Sequence, residues 1–213
     1  MTAAVPWDRF DLIVFDMDGT LYDQPRLRRR MAGLLAREAI RSRSLSVMRT
    51  LSAYRRQREA MGDVMASDFA DAQYALPGHQ PEQVRAIVAD WMERRPLPLL
   101  RDCRTPGAGS LFTRLARRHV LAVFSDYRPE GKLDALGLSA HLCVTAEDVG
   151  RLKPDPAGLL WLIEQAKTVP ARTLMIGDRD DRDGEAARRV GVRSLIRGRD
   201  FRHFREPMFR HDA

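Results

Sequence analysis

Asp16 and Asp18, separated by Met17 and followed by Gly19-Thr20-Leu21-Tyr22, carry the strongest chemical signal in this sequence. They come directly after Leu12-Ile-Val-Phe15, an apolar run of the length expected for a strand buried on both faces of a parallel sheet. Side chains alternate along extended backbone, so Asp16 and Asp18 start on one face and Met17 on the other. Two carboxylates at the lip of a buried strand are costly unless a cation or hydrogen bonds compensate them. An isolated Asp-x-Asp-Gly is also ordinary turn chemistry. The rest of the chain decides between the two readings.

Other apolar runs end in the same way. Val120–Phe124 leads into Ser125-Asp126, and Thr173–Ile176 leads into Gly177-Asp178 with Asp183 beyond. Between them, Gly150-Arg-Leu-Lys153-Pro-Asp-Pro156 carries one of only three lysines, Lys132, Lys153 and Lys167. If these strands are parallel, all four segments meet at one edge, where open α/β sheets bind ligands. Several carboxylates, a hydroxyl and a lysine converging there call for a divalent cation. Ligands that are all oxygen favour Mg²⁺.

The elements that would deliver these residues follow from periodicity. Residues 1–10 read as a short mobile leader. Pro25 suits the first turn of a helix. From Leu27 to about Met61, apolar residues at helical spacing predict one or two amphipathic helices with an Arg-rich face, and Ser42–Ser46 is the candidate break. Residues 63–76 suggest a shorter helix, and Leu76-Pro-Gly-His79 a turn. A helix begins at Pro81, with Val84, Ile87, Val88 and Trp91 on one face, and is expected to end at Pro96 and Pro98. From Thr105 onward helices and strands alternate, the signature of a parallel sheet. The Arg- and Phe-rich tail after Arg199 has no predicted place.

The net charge of +7 looks like a nucleic-acid signal until it is divided. Residues 24–104 hold sixteen arginines, no lysine and nine acidic residues, so all of the excess lies in that one segment. A solvated helix face is the expected home for most of these arginines, and nucleic acid is not the expected partner. The two cysteines, Cys103 and Cys143, are too few for a disulfide framework and lack metal-ligand spacing. No apolar run reaches the length of a membrane span or a signal-peptide core, so a cytoplasmic protein is expected.

Taken together, the four segments resemble the four motifs of the haloacid dehalogenase superfamily, in the subgroup with a helical cap between the first and second motifs. Asp16-Met-Asp18-Gly-Thr20 is similar to the nucleophile motif, Ser125 to the second, Lys153 to the third, and Gly177-Asp178 with Asp183 to the fourth. The resemblance implies an α/β fold: a Rossmann-like parallel sheet core, residues 1–23 and 101–213, with an inserted α-helical cap domain, residues 24–100. It implies a phosphatase acting on a small phosphorylated metabolite. Asp16 would form an aspartyl-phosphate and Asp18 would serve as general acid and base. Ser125, Asp126, Lys153 and Thr20 would surround the phosphoryl group, with Thr20 also steadying Asp18. Mg²⁺ would be held by Asp16, the carbonyl of Asp18 and Asp178, with Asp183 orienting Lys153 or a metal-bound water. Which of Asp180, Asp181 and Asp183 supports the metal is open at this point. Asp126 departs from the Asn that commonly follows the second-motif hydroxyl, which puts a local hydrogen bond in question. Dehalogenases of this family lack an acid at the position of Asp18, and phosphonatases need a cap lysine that residues 24–104 do not contain. The alternatives are a phosphomutase of the same family and a non-catalytic binding module with a basic surface.

Overall fold

The opening strand, β1 (Leu12–Phe15), is the middle of a five-stranded parallel sheet, and all four of its side chains are fully buried. A computed structural model describes residues 4–61, 69–129 and 131–210. The other strands are β2 (Val120–Ser125), β3 (Leu142–Thr145), β4 (Thr173–Gly177) and β5 (Arg193–Ile196), and the order is β3-β2-β1-β4-β5. From β1 the chain builds outward through β2 to β3, then lays β4 on the other side of β1. The strand order therefore reverses between β1 and β4, the crevice where sheets of this kind place ligands. Register is tight there: Phe15 lies opposite Ile176 of β4 and Val123 of β2.

Alternation along β1 divides the core in two. Leu12 and Val14 pack on one face with Leu159 and Leu162 of a helix spanning Ala157–Gln165. Ile13 and Phe15 pack on the other, in a cluster that runs on without a break into the helices inserted after β1. This two-sided burial explains why β1 reads as a continuous apolar run.

Among the described residues, no strand of the sheet lies between β1 and β2; the helices there are α1 (Gln24–Ser42), α2 (Ser46–Met61), α3 (Phe69–Ala72), α4 (Pro81–Val88), α5 (Leu97–Cys103) and α6 (Ala108–Leu115), the last leading into β2. Asp23 caps α1 by accepting the Arg26 N–H at 2.8 Å, with Pro25 in the first turn. The Ser-rich stretch does interrupt the helical pattern. α1 ends at Ser42 with Arg43 in the left-handed region (φ +50°), and α2 turns back from Ser46. Of the short helix expected over 63–76, residues 62–68 lie outside the described residues, and Phe69–Ala72 is helical.

Two expectations need correction, and the tail, unplaced from the sequence, finds its position. Pro96 and Pro98 do not close the helical run. After α4 the backbone widens into a π turn, Ala89–Arg94, with the Arg95 N–H donating to Asp90 O at 2.9 Å, and α5 then begins at Leu97 with Pro98 in its first turn. A first-turn proline needs no hydrogen-bond acceptor, so it starts a helix as readily as it stops one. Nor is the leader loose over its described part: Val5, Trp7 and Phe10 are buried, and the Val5 N–H donates to Met208 O at 3.0 Å. The tail, for its part, belongs to the core. Phe209 packs on Trp7, Phe201 and Phe204, while Phe204 meets the Phe15 ring edge-on at 6.0 Å. Cys103 is buried, Cys143 is exposed, and both are free. No helix among the described residues is long and apolar enough to cross a membrane.

Candidate active site

The reversal point between β1 and β4 gathers four of the residues that the sequence singles out. The Asp16 N–H extends the ladder to Ile176 O at 2.8 Å, so the first residue after β1 sits beside the end of β4. Lys153 Nζ donates to Asp16 Oδ1 at 2.5 Å, Asp183 Oδ1 at 2.7 Å and Phe124 O at 3.1 Å, which satisfies all three of its protons. Asp183 is itself almost fully buried, and its Oδ2 accepts the backbone N–H groups of Asp178 (3.2 Å) and Arg179 (3.1 Å). One carboxylate thus ties Lys153 to the loop after β4.

Local backbone makes this packing possible. Residues Asp180–Gly184 form a π turn, a conformation found often at functional sites, and it turns Asp183 inward. Gly177 has no side chain where a Cβ would overlap Asp183. Gly19, at φ +98°, does the same for Asp178, whose carboxylate fills the space a Cβ would need. Carboxylate oxygens of Asp16, Asp178 and Asp183 all lie within 4.8 Å of one another. Asp180 pairs instead with Arg188 (3.0 Å) and Arg199 (2.7 Å), and Asp181 with Arg179 (2.7 Å).

Three acids facing one lysine leave an excess of negative charge in a buried place. Burial raises the pKa of Asp16 well above the usual carboxylate range; Lys153 opposes it, and Asp183, Asp178 and Asp18 reinforce it. Burial, and then the Asp183 charge, lift Asp178 to about 6. Burial alone would drive the Lys153 proton off, yet Asp16 and Asp183 outweigh it and hold the ammonium pKa well above its ordinary value. The cluster has the hard oxygen donors and the unbalanced charge that suit a divalent cation such as Mg²⁺.

Asp18 faces a different set of partners. Its Oδ1 accepts from the Tyr22 hydroxyl and from Lys132 Nζ at 3.3 Å. Burial, followed by the neighbouring Asp18 charge, pushes the Tyr22 phenol well up, so Tyr22 keeps its proton and acts as the donor. Lys132 is only 5% exposed and sits 5.9 Å from the Tyr127 ring. Sequence reasoning did not select it. The available signal was the rarity of lysine in this chain, together with its place seven residues beyond Ser125. The Thr20 hydroxyl donates to Asp16 Oδ2 at 3.1 Å rather than to Asp18.

The loop after β2 is fixed from both sides. Ser125 is fully buried, and its Oγ accepts the Tyr127 N–H at 3.2 Å, leaving its own proton to donate. Asp126 Oδ1 accepts the Lys153 N–H at 3.0 Å, and its other oxygen is 3.9 Å from Arg182 Nη1. Asp126 therefore ties the loop after β2 to the backbone of Lys153. From the insertion, the Arg58 guanidinium donates to Asp126 O and stacks 4.4 Å from the Tyr127 ring centroid. Gln73 adds a second link by donating to Glu147 Oε1 at 2.9 Å.

Above the acids lies a cavity of about 320 Å³, bounded below by Asp16, Asp18, Lys132, Lys153 and Asp178 and above by the insertion. Two of the sixteen arginines of residues 24–104, Arg28 and Arg55, line that cavity, joined from the sheet edge by Arg179 and Arg182. Ser125 and Thr20 stand outside the wall, buried beneath it.

Comparison with known proteins agrees with this picture. The family model for haloacid dehalogenase-like hydrolases matches residues 10–191. The validoxylamine A 7'-phosphate phosphatase of Streptomyces hygroscopicus subsp. limoneus is 30% identical over 176 residues, covering 79% of this chain and 77% of that one. Among solved structures, the magnesium-bound HAD-hydrolase YfnB of Bacillus subtilis superposes with a TM-score of 0.65 at 17% identity, covering 88% of each chain. The 2-haloacid dehalogenase of Pseudomonas syringae pv. Tomato DC3000 superposes with a TM-score of 0.53 at 21% identity, over 93% of this chain and 92% of that one. Four motifs converging on one sheet edge and a family match over most of the sequence lead to one conclusion: the chain belongs to the haloacid dehalogenase-like hydrolases.

Proposed function

We propose that this chain is a Mg²⁺-dependent phosphatase that hydrolyses a small phosphate monoester through an aspartyl-phosphate on Asp16. In this reading residues 24–100 act as a cap over a core made of residues 1–23 and 101–213. The observation that carries it is the pairing of two carboxylates with different company on one cavity floor. Asp16 is gripped by Lys153 within the acid cluster, and Asp18 is held apart by Tyr22 and Lys132. A nucleophile needs the first setting, and a proton carrier the second.

Asp16 and Asp178 would hold the metal, together with the Asp18 carbonyl, while Asp183 stays committed to Lys153. Bound there, Mg²⁺ supplies positive charge that lets an anionic carboxylate meet an anionic phosphate. An Asp16 oxygen attacks phosphorus, the ester P–O bond breaks, and Asp18 gives its proton to the departing alkoxide. Asp18 then takes a proton from water. That water attacks phosphorus, the P–O bond to Asp16 breaks, and phosphate leaves. Lys153 steadies the phosphoryl oxygens by its charge throughout, and the Ser125 hydroxyl, buried beneath the cavity wall, would reach them only if the loop after β2 shifts. An acid at position 18 argues for phosphate over halide, since halide departs without a proton. The relative that acts on a phosphate ester supports the same choice. Two free thiols and no disulfide fit a reducing, cytoplasmic setting.

The test is phosphate release from a panel of phosphorylated metabolites, with and without Mg²⁺, by the wild type and Asp16→Asn. Turnover should require Mg²⁺ and vanish in a folded, non-deamidated Asp16→Asn preparation. Full activity of that variant, or metal-independent turnover, contradicts the proposal.

A further inference from the structure

Polarity in the cavity above the acids is graded along two helices. One face of α1 lines it with Gln24, Leu27, Arg28, Met31 and Leu35. Those spacings place the polar members at the end nearest Asp18 and the apolar ones beyond. α2 runs the other way. Its C-terminal end meets the core, where Met61 packs on Ala146 and Leu152 and Arg58 reaches Asp126 O. Its cavity residues accordingly appear in reverse order, with Leu51 far from the core and Arg55 and Glu59 near it. From Gln24 to Leu35 is about 16 Å at the helical rise. From the segment after α4, Val88, Trp91 and Met92 add apolar wall, with Glu93 the one charged residue beside them. Trp91 is braced from behind by the Arg95 guanidinium, 4.1 Å from its ring and itself held by Asp90 at 2.7 Å.

We infer that the site takes an amphipathic phosphate: a monoester whose alcohol carries hydroxyl or charged groups only close to the phosphate and an aliphatic or aromatic body beyond them. This rests on the phosphatase reading for the place of the phosphate, at the acid cluster. Hydroxyl groups pushed among Met31, Leu35 and Leu51 would lose water and gain no side-chain partner from those residues, while Glu93 offers only a single acceptor group to this part of the wall. An apolar body there loses nothing and removes its own surface from water. A cavity of about 320 Å³ is at the small end for organic ligands, which matches a body of modest length.

Binding of non-hydrolysable n-alkylphosphonates from two to eight carbons, measured calorimetrically with Mg²⁺ present, isolates this claim from turnover. Each methylene entering an apolar wall strengthens binding by about fourfold at best. The expected result is a gain of at least tenfold from ethyl- to octylphosphonate, and a shallower chain-length dependence in Leu35→Asn. The half-buried position of Leu35 lets that variant fold; were it to misfold, Ala32→Glu, at an exposed position on the same wall, makes the same test. Affinity that is flat or falls with chain length overturns the inference even if phosphatase activity is robust. Strong chain-length dependence without turnover of any phosphate ester leaves it standing and removes the phosphatase reading instead.

Discussion

Lys132 Nζ stands 3.3 Å from Asp18 Oδ1, and both side chains are largely withdrawn from solvent. The Tyr22 hydroxyl reaches the same oxygen, so one carboxylate atom of this cavity-lining residue is held from two sides. A proton carrier works only if it is aimed at the atom it serves. Lys132→Met keeps the length of the side chain and removes its charge. We expect kcat to fall by about 10- to 100-fold, part of the 10²–10⁴ that a positioned acid–base group contributes. KM should change little if Lys132 acts through Asp18 and not on the substrate. Wild-type kcat in steady-state phosphate release would remove Lys132 from the mechanism.

Lys153 is the only cation bonded to both Asp16 and Asp183 among the described residues. Deleting one member of a buried ionic set leaves the others without compensation, at a cost of roughly 3–5 kcal/mol. We predict that Lys153→Ala loses about that much stability in urea unfolding at neutral pH without metal. Mg²⁺ should recover part of it, because a cation returned to the cluster meets the same charges. A variant as stable as the wild type, and indifferent to Mg²⁺, would show that the acids find their compensation elsewhere.

Metal binding should depend on pH through the same cluster. Burial and Asp183 raise Asp178 from its ordinary 3.8 to about 6. Between those values Asp178 in the folded, metal-free protein holds a proton that the unfolded chain has released, so the contribution of this group to stability falls as pH rises through the window and is constant above about 6. Mg²⁺ must displace that proton. Asp16, raised further by its own burial, must give up its proton as well, so affinity should climb by about tenfold per unit or more as pH rises through 6. Calorimetric titrations at several pH values check this, and equal affinities at pH 5 and pH 8 would contradict it.

How much of this could be read beforehand depended on the kind of signal. Asp16 and Asp178 were legible because each ends an apolar run, and a parallel sheet brings such ends together whatever lies between them. Lys153 was legible through its scarcity and its motif. Lys132 was not, because its importance comes from a fold-back onto Asp18, 114 positions earlier in the chain, that no local pattern encodes. The partner of Thr20 turned out to be Asp16 for a similar reason: side-chain direction in a loop is set by tertiary packing. Trp7, Phe204 and Phe209 lie in segments too short or irregular to show a period, yet they plug one end of the core. Pro96 and Pro98 carried a real signal that has two readings, since proline marks both the end of one helix and the first turn of the next.

Gly19 offers the sharpest test of how the motifs interlock. Its φ of +98° lies where only glycine is unstrained, and a Cβ there would overlap the Asp178 carboxylate. Gly19→Ala thus imposes two separate penalties. Backbone strain should lower stability by about 1–3 kcal/mol, a loss that chemical denaturation can measure. Asp178 must also swing away from Asp16, which opens the acid cluster and should weaken Mg²⁺ binding by tenfold or more. A double variant, Gly19→Ala with Asp178→Asn, separates the two effects. If the overlap with Asp178 is what damages the metal site, adding Gly19→Ala to Asp178→Asn should reduce Mg²⁺ affinity far less than it does in the wild type. Strictly additive losses would mean that Gly19 acts through its own backbone alone, and that the close contact between the first and fourth motifs does not set the geometry of the metal site.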